Sequence, residues 1–162
     1  MAEKMESINR EGKYLTFSLA DEEYGIGILK VREIIGMMAI TVVPQVPVYV
    51  KGVINLRGKI IPVVDLRLKF DIESMEYTDR TCIIVVEIKA DAGNVLTGIV
   101  VDSVSEVLNV RNADIEDTPT FGAVTTTNYI LGMAKVGNGV KILLDIDKVM
   151  SDQATAVLRE AA

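Results

Sequence analysis

The chain has 162 residues, 49% hydrophobic and 25% charged, enough to bury one substantial core or two small ones sharing an interface. Its 17 basic against 23 acidic residues give a formal charge of −6, and no Lys/Arg run occurs, so the attraction that drives phosphate-backbone binding is missing. Aromatic residues are only 5% and Trp is absent, which removes base-stacking platforms; nucleic acid is not an expected partner.

Residues 1–13 are polar and lack periodicity, and are expected to form a mobile arm. They contain no apolar targeting segment. The ordered domain is expected over 14–150. Leu15, Phe17 and Leu19 alternate with Thr16 and Ser18, the period of a half-buried strand, and the Asp21-Glu22-Glu23 turn leads into Tyr24–Ile28, predicting a hairpin. Further strands are predicted over 38–43, 52–56, 59–65, 82–89, 95–101, 104–110, 132–136 and 140–145. Between them lie turn residues such as Gly137-Asn138-Gly139, where Asn and Gly tolerate the positive φ of tight hairpins. The longest apolar stretch, 34–50, is interrupted by Thr41, Pro44, Gln45 and Pro47, so it is no membrane span. Cys82 lies in an apolar run and reads as a small buried hydrophobe, with no disulfide framework; an intracellular, cytoplasmic location is expected. Residues 147–158 are rich in helix formers, with Asp147 or Ser151 as candidate N-caps, so 151–162 is expected to be a short C-terminal helix or tail.

An internal repeat sharpens the architecture. A shift of 80 superposes Tyr49 on Tyr129, Gly52 on Gly132 and Asp65 on Asp145, with the Arg57-Gly58-Lys59 turn falling on Gly137-Asn138-Gly139. A shift of 73 pairs Gly25 with Gly98, Val31 with Val104 and Glu33 with Glu106. Two copies of a small β unit, 14–79 and 80–150, suggest two small barrels packed together, since closing a sheet removes exposed edges.

The chain has no histidine, which removes the commonest general base and the commonest metal ligand. The G-x-G of Tyr24-Gly25-Ile26-Gly27 sits in a strand pattern and reads as barrel glycines rather than a phosphate loop. Asp65 and Asp145 could form a carboxylate dyad across the repeat. Each nevertheless follows a strand and opens a helix-like turn, where a carboxylate caps backbone amides. The acids at 21–23, 114, 116 and 117 read as solvated turns without calcium-site spacing. No cofactor, metal site or catalytic residue is expected.

Three stretches resemble the CheW family: Asp21 to Ile34 with its Val31-Arg32-Glu33-Ile34 end, Lys51 to Arg67 with the Gly52-Val53-Ile54-Asn55-Leu56-Arg57-Gly58 core, and Gly98 to Val104. The similarity runs from about Tyr14 to Met150. It implies a mainly all-β fold of two intertwined five-stranded SH3-like barrels related by a pseudo-two-fold. It also implies a non-enzymatic chemotaxis adaptor that joins the cytoplasmic tips of methyl-accepting chemoreceptors to the regulatory domain of the histidine kinase CheA.

By the same resemblance the kinase-binding residues would be Val31, Glu33, Arg57 and Phe121, and the receptor-binding residues Leu15, Ile28, Gly98 and Val101 in an apolar groove between the barrels. Plainer readings stand beside these. Val31 and the four groove positions read equally as core, Glu33 as a solvated edge charge, and Phe121 as a barrel plug. Glu116 stands where some relatives carry a basic residue five positions before the Phe. The competing functional readings are a small-ligand-binding barrel and a carboxylate-dyad hydrolase.

Overall fold

Period-2 burial organises the chain. In β1 (Gly12–Leu19) Leu15, Phe17 and Leu19 point to one side and Tyr14 to the other, and β7 (Gly93–Val101) divides Ile99 and Val101 from Val100 in the same way. The computed structural model describes residues 10–72, 76–90, 93–118 and 129–151. Residues 1–9 of the expected arm, 152–162 of the expected tail and Phe121 lie outside the described residues.

The remaining elements in chain order are β2 (Glu22–Gly27), a 3-10 turn (Ile28–Lys30), β3 (Val31–Gly36), β4 (Val50–Leu56), β5 (Lys59–Asp65) and α1 (Leu66–Lys69). There follow β6 (Cys82–Ala90), β8 (Ser103–Val110), a second 3-10 turn (Asn112–Asp114), β9 (Ile115–Glu116), β10 (Ile130–Val136), β11 (Gly139–Leu144) and α2 (Ile146–Val149). They form a five-stranded sheet, β3-β6-β7-β5-β4, and a six-stranded sheet, β8-β1-β2-β11-β10-β9. Each sheet draws on both halves of the chain. The β1–β2 hairpin belongs with β8 to β11, and β6–β7 belongs with β3 to β5.

The two sheets repeat one topology. The parallel pair Val63 with Gly98 is matched by Leu143 with Gly25, and the bulge between Val50 and Gly52 by one between Ile130 and Gly132. β1 and β6 correspond as well, because Leu15 faces Ile26 and Val107 just as Ile84 faces Ile99 and Ile34. The repeated glycines have a steric cause. A Cβ on Gly52, whose φ is 141°, would lie 2.0 Å from the Thr41 carbonyl oxygen, and one on Gly132 would lie 2.7 Å from Ile115 Cγ2. Both glycines admit the segment that closes their barrel: Thr41 bridges Val53, and β9 pairs with β10.

Among the described residues three apolar cores result. Ile54, Ile61, Val63, Ile83, Val85 and Val100 fill the first barrel, and Tyr14, Val110, Ile115, Ala134 and Leu143 the second. The largest core lies between them and takes Leu15, Phe17, Ile84, Ile99, Val101 and Leu144, with Leu66 and Ile146 from the two helical turns. A stacked run of rings, Phe17 to Tyr24 to Phe70 to Tyr129, with centroids 6.0, 6.1 and 5.5 Å apart, crosses this junction.

Asp65 and Asp145 each cap the helical turn that follows. Asp65 Oδ1 accepts from Arg67 N at 3.0 Å, and Asp145 Oδ1 accepts from Asp147 N at 3.1 Å and Lys148 N at 3.3 Å. Asp145 is thus the N-cap of α2, the role expected of it, while the further helix expected toward the C-terminus falls mostly outside the described residues. Two strand expectations also change. Residues 38–43 form no strand beyond the Thr41 bridge, and Pro44 and Pro47, which lack a backbone N–H, keep the pairing from continuing past it. The unpredicted strand is β3, just before this segment, whose regular burial alternation is masked in the sequence because charged Glu33 takes a half-buried position and Ile34 an exposed one.

Candidate adaptor interfaces

Arg57 occupies the tight turn between β4 and β5 with φ 52°, next to Gly58 at 88°. Its repeat counterpart, Gly137, has φ 59°. The turn therefore needs the left-handed region, and a glycine would meet that need without Cβ strain. A bulky side chain held there points to a role outside the turn. Asn55 Oδ1 supports the turn by accepting Gly58 N at 2.8 Å.

The Arg57 guanidinium reaches Glu33 on β3. Nη1 donates to Oε2 at 3.2 Å and Nη2 donates to Oε1, a two-pronged pair. Hydrogen bonding from Arg57, with a smaller opposing desolvation, holds the Glu33 carboxyl below its usual pKa and the guanidinium above its own. The Arg57 side chain is 69% accessible and Glu33 30%, so water screens the pair and it shapes the surface more than it stabilises the fold. Val31, at the start of β3, is half-buried against the inter-barrel core. Two of the four proposed kinase residues, Glu33 and Arg57, thus meet directly, and Val31 lies on the same strand as Glu33.

Exposed apolar side chains surround these elements. Ile34 on β3 and Ile60 on β5 are 45% and 57% accessible. Beyond β3, an open groove of about 880 Å³ is walled by Met37, Met38, Ile40, Val42, Val48 and Tyr77. The groove is unexpected from the sequence, which predicts a strand over 38–43. The signal was present in the proline-broken apolar run 34–50, which has more apolar side chains than an interrupted ladder can bury.

The four proposed receptor residues separate. Leu15 and Val101 lie wholly inside the inter-barrel core. Gly98 faces the first barrel instead: a Cβ there would stand 2.8 Å from Ile83 Cγ2 and 3.5 Å from Val63 Cγ2, so the residue permits close strand packing. Ile28 alone reaches solvent, at the crossover from the second barrel to the first, beside Leu29, which is 86% accessible. The inter-barrel junction meets solvent at this apolar pair.

The model of the CheW-like domain matches residues 13–154. The chain belongs to the CheW family. The chemotaxis protein CheW of Klebsiella aerogenes is 40% identical over 157 residues, covering 97% of this chain and 91% of that protein. The chemotaxis protein CheW of Rhizobium meliloti is 34% identical over 148 residues, covering 91% and 90%. The crystal structure of the scaffolding protein TtCheW from Thermoanaerobacter tengcongensis is similar with a TM-score of 0.77 at 34% identity, covering 89% of this chain and 95% of that one. This CheW-family chain is a chemotaxis protein of the scaffold type, and its double-barrel fold is the one its resemblance implied. Among the described residues no helix is long and apolar enough to cross a membrane.

Proposed function

We propose that this chain couples the cytoplasmic tips of chemoreceptors to the regulatory domain of CheA, holding both in membrane-associated signalling arrays without catalysing a reaction. The observation that carries this reading is the Arg57–Glu33 pair, an exposed two-pronged ion pair on a turn that would be less strained as glycine, set among exposed apolar side chains. Polar anchors ringed by apolar surface are the usual make-up of a specific but reversible protein interface.

On this reading the kinase domain docks on β3 and the β4–β5 turn, through Val31, Glu33 and Arg57. Ile34 and Ile60 supply apolar contact there, and the Met37–Tyr77 groove extends the surface. Phe121 would make a second kinase contact. The receptor's helical tip meets the junction where Ile28 and Leu29 reach solvent, a helix laid along an apolar edge. Leu15 and Val101 act from beneath by fixing the two barrels against each other, and Gly98 by letting β6 and β5 close over β7.

A pull-down with purified receptor tip and CheA regulatory domain tests the proposal. Capture of both supports it; capture of neither, with a small-molecule thermal shift traced to the groove, would favour a ligand-binding barrel instead.

A further inference from the structure

The repeat places a charged latch at each end of the inter-barrel core, and the two latches are built with opposite polarity. At one end, Arg67 of α1 donates from Nε and Nη2 to Asp65 at 3.0 and 2.9 Å and from Nη1 to Asp102 Oδ1 at 2.9 Å, on the crossover from β7 to β8. Asp102 Oδ2 in turn accepts the backbone N–H of Ala20 at 2.7 Å, at the tip of the β1–β2 hairpin. At the other end, the residue equivalent to Arg67 is Asp147 of α2. Its Oδ2 lies 2.7 Å from Lys30 Nζ, on the crossover from β2 to β3, and its Oδ1 accepts the backbone N–H of Lys89 at 2.9 Å, near the β6–β7 hairpin tip. Ala20 and Lys89 are themselves equivalent in the β1–β6 register. In each latch a helical turn from one barrel, a crossover and a hairpin tip from the other barrel are tied through one carboxylate, with the signs of helical turn and crossover exchanged.

The latches differ in strength for physical reasons. The Arg67 side chain is 2% accessible, planar, and forked onto Asp65, which is fully buried, and Asp102, which is 23% accessible, so the cation is held in a fixed geometry and shielded from salt even though one of its carboxylates meets water. Lys30 and Asp147 are 29% and 25% accessible, and an ammonium is a mobile point charge open to screening.

We propose that the barrels are hinged: Arg67–Asp102 is the fixed end, and the junction parts first at Lys30–Asp147. Parting there uncovers Ile146, Val149 and Met150, apolar residues of the inter-barrel core. This inference concerns the junction itself and holds whichever partner docks.

The test uses an equivalent pair of buried positions, Leu66 beside the fixed end and Ile146 beside the opening end, replaced singly as Leu66→Cys and Ile146→Cys in a Cys82→Ala background. The thiol at 146 is expected to react with a thiol reagent roughly tenfold faster than that at 66, the scale of a local rather than a global opening. Its rate should rise further at high salt and with Lys30→Gln. Global unfolding would label both thiols at one rate. On the unaltered chain, the Lys89 amide should likewise exchange faster than the Ala20 amide, with the gap widening in salt. Equal thiol rates, a faster thiol at 66, or a Lys89 amide that exchanges no faster than Ala20 and ignores both salt and Lys30→Gln would overturn the hinge.

Discussion

Arg57 in the turn that ends β4 and Glu33 on β3 belong to opposite ends of one sheet's order, yet the guanidinium of one grips the carboxylate of the other. They meet because the sheet curls until its two ends approach, the same curl that brings Thr41 onto Val53 and lets Ile35 and Leu56 share one barrel core. The pair therefore marks the closing seam of the first barrel, and that seam faces solvent.

Replacing Arg57 with glycine should expose the cost of keeping a side chain at φ 52°. The melting temperature is expected to hold or rise slightly, since Gly137 does the same work in the second barrel, while CheA binding weakens. Thermal denaturation beside a binding titration checks this. A variant that melts early and binds normally would assign Arg57 to the fold instead.

Arg67 behaves in the opposite way. Its guanidinium is buried between Asp65 and Asp102, and truncation would leave two carboxylates without their cation. Arg67→Ala is expected to lower unfolding free energy by about 3–5 kcal/mol, as breaking one side of a buried ion pair does. Urea unfolding followed by circular dichroism measures it.

Glu23 sets an acid limit. Burial pushes its carboxyl up, but hydrogen bonds from Ser18, Lys141 and Ser105 outweigh that and hold it below the ordinary glutamate value. Because the folded pKa is depressed, this stabilisation is full above the unfolded pKa and is lost as pH falls through the folded one. The urea midpoint should therefore fall with acidification below about pH 4.5, and Glu23→Gln should flatten that fall. An unchanged slope in the variant would remove Glu23 from the account.

Val101→Asp would not report on receptor binding alone. The side chain is fully buried, so a carboxylate there lacks water and partners, and loss of the fold is the expected result, visible as a collapsed melting transition. Leu29→Asp is the informative change: at 86% accessibility it should leave melting nearly unaltered and weaken receptor-tip binding.

Much of this architecture is legible in the residues. Gly52 with Gly132 and Gly25 with Gly98 recur because each admits a close neighbour, so the repeat shifts carry three-dimensional content. β3 is harder to read, since Glu33 takes a half-buried position and Ile34 an exposed one, which hides the alternation that betrays a strand. The exchange of hairpins between barrels is invisible to local periodicity, because a strand has the same pattern whichever sheet it joins. The site was legible only in part. Arg57 and Glu33 could each be nominated, but their contact depends on barrel closure, and Leu15 and Val101 carry the same apolar alternation whether they line a groove or fill a core.

The most direct test of the coupling account is a mixing experiment with separately purified receptor tip and CheA regulatory domain. Saturating receptor tip should leave the kinase domain's affinity for this chain unchanged or improved, with a ternary species in sedimentation, and Arg57→Ala should weaken kinase binding much more than receptor binding. Mutual exclusion of the two partners, or equal loss of both contacts in a folded Arg57→Ala variant, would contradict the two-face scaffold.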